Sequence, residues 1–226
     1  MDLWFLAILG ILFFALLTFC RRWYDYAMLF TFAIGFAVNA NIYNSVTTPV
    51  KFYSLIFSID SILYTGFTFT VIICAKEYGI KKAKILTSSA IAAVLLSALI
   101  ELSATISTNG FDVLYFKQFF GYVFSAIGTF VGIWVMLYIF GKLLEKNLNI
   151  YLIIFICVLT SSVINSTIYY SYYLIVYQNT TDFVNVLLGS YIGKIYAIIL
   201  GLTSYSINRN IWVPLDLKKE EIIEEK

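Results

Sequence analysis

Two apolar runs separated by one basic turn, between Tyr53 and Ile106, restrict the fold more than any other stretch. The first run, Tyr53 to Ala75, carries a single charge, Asp60; the second, Ile85 to Ile106, carries only Glu101. A helix rises about 1.5 Å per residue, so roughly 20 apolar residues cross the hydrocarbon of a bilayer. Between the runs lies Lys76-Glu77-Tyr78-Gly79-Ile80-Lys81-Lys82-Ala83-Lys84, whose lysines cannot remain in hydrocarbon. Gly79 suits the left-handed conformation that ends a helix. Two crossings joined by a short basic turn make a helical hairpin, and the rest of the chain repeats that design.

Of the 226 residues, 61% are hydrophobic and 12% charged, against about half and about a quarter in a soluble domain. This predicts an all-α integral membrane protein, a bundle of about seven transmembrane helices. Two prolines and 12 glycines leave little room for linkers. One transmembrane domain is expected over residues 1–207, followed by a charged cytoplasmic tail over 208–226. Leu3 to Cys20 is the first span; acidic Asp2 ahead of it and Arg21-Arg22 behind it do not fit a signal peptide. Tyr26 to Tyr43 is the second, followed by a polar link from Asn44 to Lys51 that contains Pro49. The central hairpin supplies the third and fourth spans. Asn109-Gly110 marks the next turn, and the fifth, sixth and seventh spans cover Gln118–Phe140, Ile150–Val176 and Leu187–Ile207.

Cation placement sets the expected orientation. The loops after the first, third and fifth spans, with the tail, hold Arg21, Arg22, Lys76, Lys81, Lys82, Lys84, Lys142, Lys146, Arg209, Lys218, Lys219 and Lys226. The opposite loops hold only Lys51 and Lys117. Lysine and arginine stay on the cytoplasmic side, so the amino terminus is expected outside and the carboxyl terminus in the cytoplasm. There is no histidine, which removes the usual proton shuttle, metal ligand and catalytic triad. Cys20, Cys74 and Cys157 fall far apart, in or beside apolar runs, where cysteine acts as a small apolar residue. No enzyme activity, metal, cofactor or nucleic-acid partner is expected.

A charge inside a span is costly unless it is paired or faces water, so each one is a candidate for function. Asp60, Glu101 and Lys194 qualify. Lys194, about a third of the way into the seventh span, reads either as a donor to a solute or as half of an interhelical salt bridge. Asn39 and Asn41 close the second span. Ser161, Ser162, Asn165, Ser166 and Thr167 form the other polar intramembrane patch. The spacing of Ser161, Ser162 and Asn165 allows them one helix face, for packing or for contact with a solute.

At these residues the chain resembles the vitamin-uptake-like transporters, which include the bacterial queuosine precursor transporters, over about residues 1–207. The likeness runs through Ala40-Asn41-Ile42 and the Glu77-Tyr78-Gly79 turn with its following basic residues around Ala83. It continues in Ser161-Ser162-Val163-Ile164-Asn165-Ser166, similar to the family's Ser-Gln-x-x-Asp-Ser, and in Gly189-Ser190-Tyr191-Ile192-Gly193-Lys194, similar to its Gly-Gln-Tyr-x-x-Lys. Where the family carries intramembrane aspartates, this chain has Ile72, Met136, Asn165 and Gly201, and Ser162 and Ser190 replace glutamines. The resemblance implies an uptake carrier in a prokaryotic plasma membrane for a small molecule such as a purine-like base. Asn41, Asn165 and Lys194 would bind it, with Ser161 and Ser162 as secondary contacts. The rival readings are a substrate-capturing subunit that works with an ATPase partner, and a structural or sensor protein; homo-oligomerisation is left open.

Overall fold

The structure is a computed structural model that describes residues 26–46, 50–52, 55–57, 60–146, 148–177 and 183–211. The expected first span, Leu3 to Cys20, and nearly all of the expected tail lie outside the described residues. Within them stand six helices and one small hairpin: α1 (Tyr26–Val46), β1 (Val50–Phe52), β2 (Leu55–Phe57), α2 (Asp60–Tyr78), α3 (Ile80–Asn109), α4 (Val113–Leu144), α5 (Ile150–Tyr177) and α6 (Phe183–Ile211). The helices correspond in order to the second through seventh expected spans.

The bundle is built around α2. Every residue from Ile62 to Ala75 is buried, and α2 touches all five other helices. Around it the neighbours run α1, α3, α4, α5, α6, with β2 lying against α6. A helix enclosed by protein has no need of a lipid-facing surface, and α2 carries buried Thr65, Thr68 and Thr70. Thr68 and Thr70 bond back to the carbonyls of Tyr64 (2.9 Å) and Gly66 (2.8 Å), which satisfies their hydroxyls inside the helix. The outer helices carry the apolar exterior instead, with Leu96, Ile100, Val163 and Ile199 among their exposed residues. Four of them, α3 to α6, are long and apolar enough to cross a bilayer. In hydrocarbon only structures that satisfy every backbone group internally survive, and the chain is a membrane-embedded, multi-pass helical protein.

Helix ends follow local chemistry. Gly79 (φ 89°) and Gly110 (φ 81°) take a positive-φ, extended-ψ backbone that favours glycine at the α2–α3 and α3–α4 turns, rather than the left-handed helical cap expected at Gly79. Asp112 Oδ1 accepts from the Leu114 amide (2.8 Å) at the start of α4, and Asn149 Oδ1 from the Tyr151 amide (2.9 Å) at the start of α5.

Two expectations are corrected. The helix expected from Tyr53 begins only at Asp60, because the preceding residues form a hairpin that pairs Val50 with Phe57, Lys51 with Ile56 and Phe52 with Leu55. Valine, isoleucine and phenylalanine suit strands as well as apolar helices. Asp60 therefore opens its helix, where an acid complements the dipole, instead of lying about eight residues inside it. The outer helices also overrun the apolar windows. The fourth span starts at Ile80 rather than Ile85, and the fifth covers Val113–Leu144 rather than Gln118–Phe140. At 28 to 32 residues these helices are about 45 Å long against roughly 30 Å of hydrocarbon. The excess length leaves polar turns at the helix ends, where Lys81, Lys82 and Lys142 are exposed.

Helices α4 and α5 approach each other closely. A Cβ added to Gly132 would stand 2.8 Å from the Ser161 carbonyl oxygen, and one on Gly128 would stand 3.1 Å from that of Asn165. Gly128-x-x-x-Gly132 thus meets Ser161-x-x-x-Asn165 nearly backbone to backbone, the small-residue packing that lets membrane helices touch.

Candidate functional site

That approach fixes the orientation of Asn165, and Asn165 in turn holds Lys194. Lys194 on α6 is only 4% exposed. Its ammonium donates to Asn165 Oδ1 (3.1 Å) and Ser166 Oγ (2.7 Å) on α5. It also lies 4.4 Å from the centroid of the Tyr64 ring on α2. With its oxygen turned to the cation, the Asn165 amide points its nitrogen the other way. Nδ2 donates to Thr129 Oγ1 (2.9 Å) and to the Ser125 carbonyl (3.4 Å), both on α4. Only this assignment of the amide satisfies both neighbours, since an ammonium is donor-only. Ser166 Oγ accepts from the lysine and shares a second hydrogen bond with Ser190 Oγ, 3.2 Å away and one turn before Lys194 on α6. The Tyr64 hydroxyl lies 2.9 Å from Ser161 Oγ.

The result is one polar network joining α2, α4, α5 and α6, bordering a cavity of about 40 Å³. All six described helices line it. α4, α5 and α6 present Ser125, Thr129, Asn165, Ser166, Ser190 and Lys194, whereas α1, α2 and α3 present Ala37, Ala40, Phe67, Ile91 and Val94 beside Tyr64. Tyr169 and Tyr170 of α5 complete the wall. The site is therefore two-sided, polar on one wall and apolar on the other, with a cation at the junction. Hydrogen bonds to a charged donor are about twice as strong as neutral ones, and an aromatic face adds its own attraction. Such a shell offsets part of the cost of placing a cation away from water.

Of the residues singled out in the sequence, Asn165 and Lys194 meet at the cavity. Asn41 follows the lining residue Ala40 in α1, but its side chain lies outside the described residues. Ser161 turns to α4 and Tyr64 rather than lining the cavity. Ser162 is buried, does not line the cavity, and its hydroxyl has no hydrogen-bond partner among the described residues. The single face expected for Ser161, Ser162 and Asn165 is thus split. Ser161 and Asn165 share the α4 side, while Ser166, one turn after Ser162, reaches α6. Glu101, exposed near the far end of α3, accepts from the Tyr122 hydroxyl (3.0 Å) and lies apart from the cavity.

Tyr64, Thr129 and Ser190 escape the sequence reading as site residues. Ser190 precedes Lys194 by one helical turn and Thr129 follows the first glycine of the close-packing pair, so helical spacing carried a signal for both. Nothing distinguishes Tyr64 among 18 tyrosines.

Fold and site together define a polytopic membrane protein with a small, cation-bearing polar cavity at its centre. No family model, curated protein or solved structure matches the chain.

Proposed function

We propose that the chain is an uptake carrier for a small solute, with the central cavity as its binding site and Lys194 as the principal contact. The observation that carries this reading is a buried ammonium directed to a two-sided cavity by neutral oxygens and an aromatic face. Lys194 donates to a carbonyl or ring nitrogen of the solute, Asn165 pairs with an amide edge, and the aromatic and apolar wall receives a flat ring. A purine-like base, as the family resemblance implies, has these features. Asn41 remains a proposed contact; Ser161 and Ser162 act through packing. The bundle crosses the plasma membrane of a prokaryote seven times, with the amino terminus outside and the basic ends of the helices in the cytoplasm.

The cavity of about 40 Å³ holds about three or four waters at roughly 10–15 Å³ each. A base is larger, so the outer helices must part around α2 to admit it. That narrowness also favours a second reading, in which Lys194 is a fastener between α5 and α6 in a protein that moves nothing. Uptake of a labelled deazaguanine base by cells lacking their own salvage route, supplied with the wild-type chain or Lys194→Met, separates the two. The carrier reading requires uptake with the native chain and its loss in a variant that still folds. Normal uptake by Lys194→Met removes Lys194 from the site; no uptake above background by either chain, across deazaguanine and purine bases, leaves the fastener.

A further inference from the structure

A second groove, of about 350 Å³, opens at the basic end of the bundle between the start of α3 and the last turns of α4. The two helices meet at its floor, where a Cβ on Gly141 would stand 3.2 Å from Ile80 Cδ1. Lys84 borders it with its ammonium 4.3 Å from the centroid of the Trp134 ring. Lys142, exposed in the last turn of α4, borders it too and makes no hydrogen bond or ion pair among the described residues. Two other lysines at this end are engaged by the protein: Lys76 with Tyr205 and Glu77, Lys82 over the rings of Tyr26 and Tyr78.

Trp134 and Tyr138 line the groove while 39% and 69% exposed. Large aromatics left exposed near the end of a membrane helix sit at headgroup depth. One side of the groove therefore faces the bilayer, and the other offers two cations. Glu145 also borders it, so the local charge is two lysines less one carboxylate, a net of about +1. A phosphodiester carries a single negative charge and comes with acyl chains attached; basic pockets between membrane helices hold such headgroups.

We infer that this groove is a binding site for one anionic phospholipid, its phosphate between Lys84 and Lys142 and its acyl chain along Trp134 and Tyr138. The site is remote from Lys194 and does not depend on what the central cavity binds. Titration of the purified full chain in detergent, followed by native mass spectrometry, tests it with three probes: phosphatidylglycerol, phosphatidylcholine and soluble glycerol phosphate. The native chain should retain one phosphatidylglycerol, and neither zwitterionic lipid nor glycerol phosphate to a similar degree. Near a membrane surface each lysine contributes about fivefold, so Lys84→Gln with Lys142→Gln should weaken retention about 30-fold. Lys84→Arg with Lys142→Arg should preserve it. Lys81→Gln with Lys146→Gln, the same charge change at the same end but outside the groove, should preserve it as well. Undiminished binding by the first pair, equal loss in either of the other pairs, or equal retention of phosphatidylcholine or glycerol phosphate overturns the assignment.

Discussion

Lys194 is held by groups that are individually replaceable, so the weight of each can be separated. Tyr64 acts twice, through its ring on the cation and through its hydroxyl on Ser161. Tyr64→Phe keeps the ring and should cost about 1 kcal/mol, the net worth of one hydrogen bond. Tyr64→Leu loses the ring as well and should cost about 1–2 kcal/mol more. Thermal unfolding in detergent measures the gap; equal losses would mean that the ring does not stabilise the ammonium. Ser162 poses the opposite case. Its buried hydroxyl lacks a partner among the described residues, and leaving such a group unsatisfied costs about 1–3 kcal/mol. Ser162→Ala should therefore leave stability unchanged or raise it, whereas Ser166→Ala, which strips an acceptor from Lys194, should lower it. A clear loss of stability in Ser162→Ala would show that its hydroxyl is bonded in the membrane. The lysine was legible in the sequence because a lone cation in an apolar run admits few explanations. Its shell was less so: serine and asparagine on α5 lie near one another in sequence, but Tyr64 reaches the site only through the central position of α2.

The helices themselves were legible because a run of apolar residues long enough to cross hydrocarbon has little else to become. Their limits were not, since an apolar window ends where the lipid ends and the helix continues as far as its caps allow. Gly79, Gly110 and Asp112 set those limits. The stretch before Asp60 failed for a different reason: Val50, Phe52, Ile56 and Phe57 suit helix and strand alike, and periodicity cannot arbitrate over so few residues. Packing between elements has a signal of its own in Gly128-x-x-x-Gly132, which a search for apolar runs passes over. At Gly132 a methyl group would meet backbone of α5 at 2.8 Å, and backbone cannot rotate away as a side chain can. Gly132→Ala should part α4 from α5 and cost about 1–3 kcal/mol, loosening the Asn165 contacts to Thr129 and Ser125 with it. Gly35 in α1 has nothing within 4 Å of the same position, so Gly35→Ala should gain up to about 1 kcal/mol from helix propensity. Melting temperatures that move in the same direction for both variants would rule out close packing as the role of Gly132.

Taken whole, the bundle has a basic end and an end of mixed charge that carries Asp60, Glu101, Asp112 and Lys117, and contacts between helices define both. Lys76 at the end of α2 reaches Tyr205 near the end of α6, and Tyr26 at the start of α1 donates to the Lys82 carbonyl at the start of α3. At the other end Tyr122 of α4 meets Glu101 of α3, and Tyr172 of α5 donates to the Lys117 carbonyl of α4. Successive helices from α2 onward therefore run antiparallel, and the turns at Gly79 and near Glu145 share one end while Gly110 lies at the other. Because lysines are retained on the cytoplasmic side, the proposed orientation puts Thr108 outside and Lys146 inside; both are exposed. In a chain with Cys20, Cys74 and Cys157 replaced by alanine, Thr108→Cys should react with a membrane-impermeant maleimide on intact cells. Lys146→Cys should react only after permeabilisation. The reverse pattern would invert the bundle across the membrane. Labelling of both sites on intact cells would mean that α4 does not cross the membrane, and a central cation without a crossing would have no solute to carry.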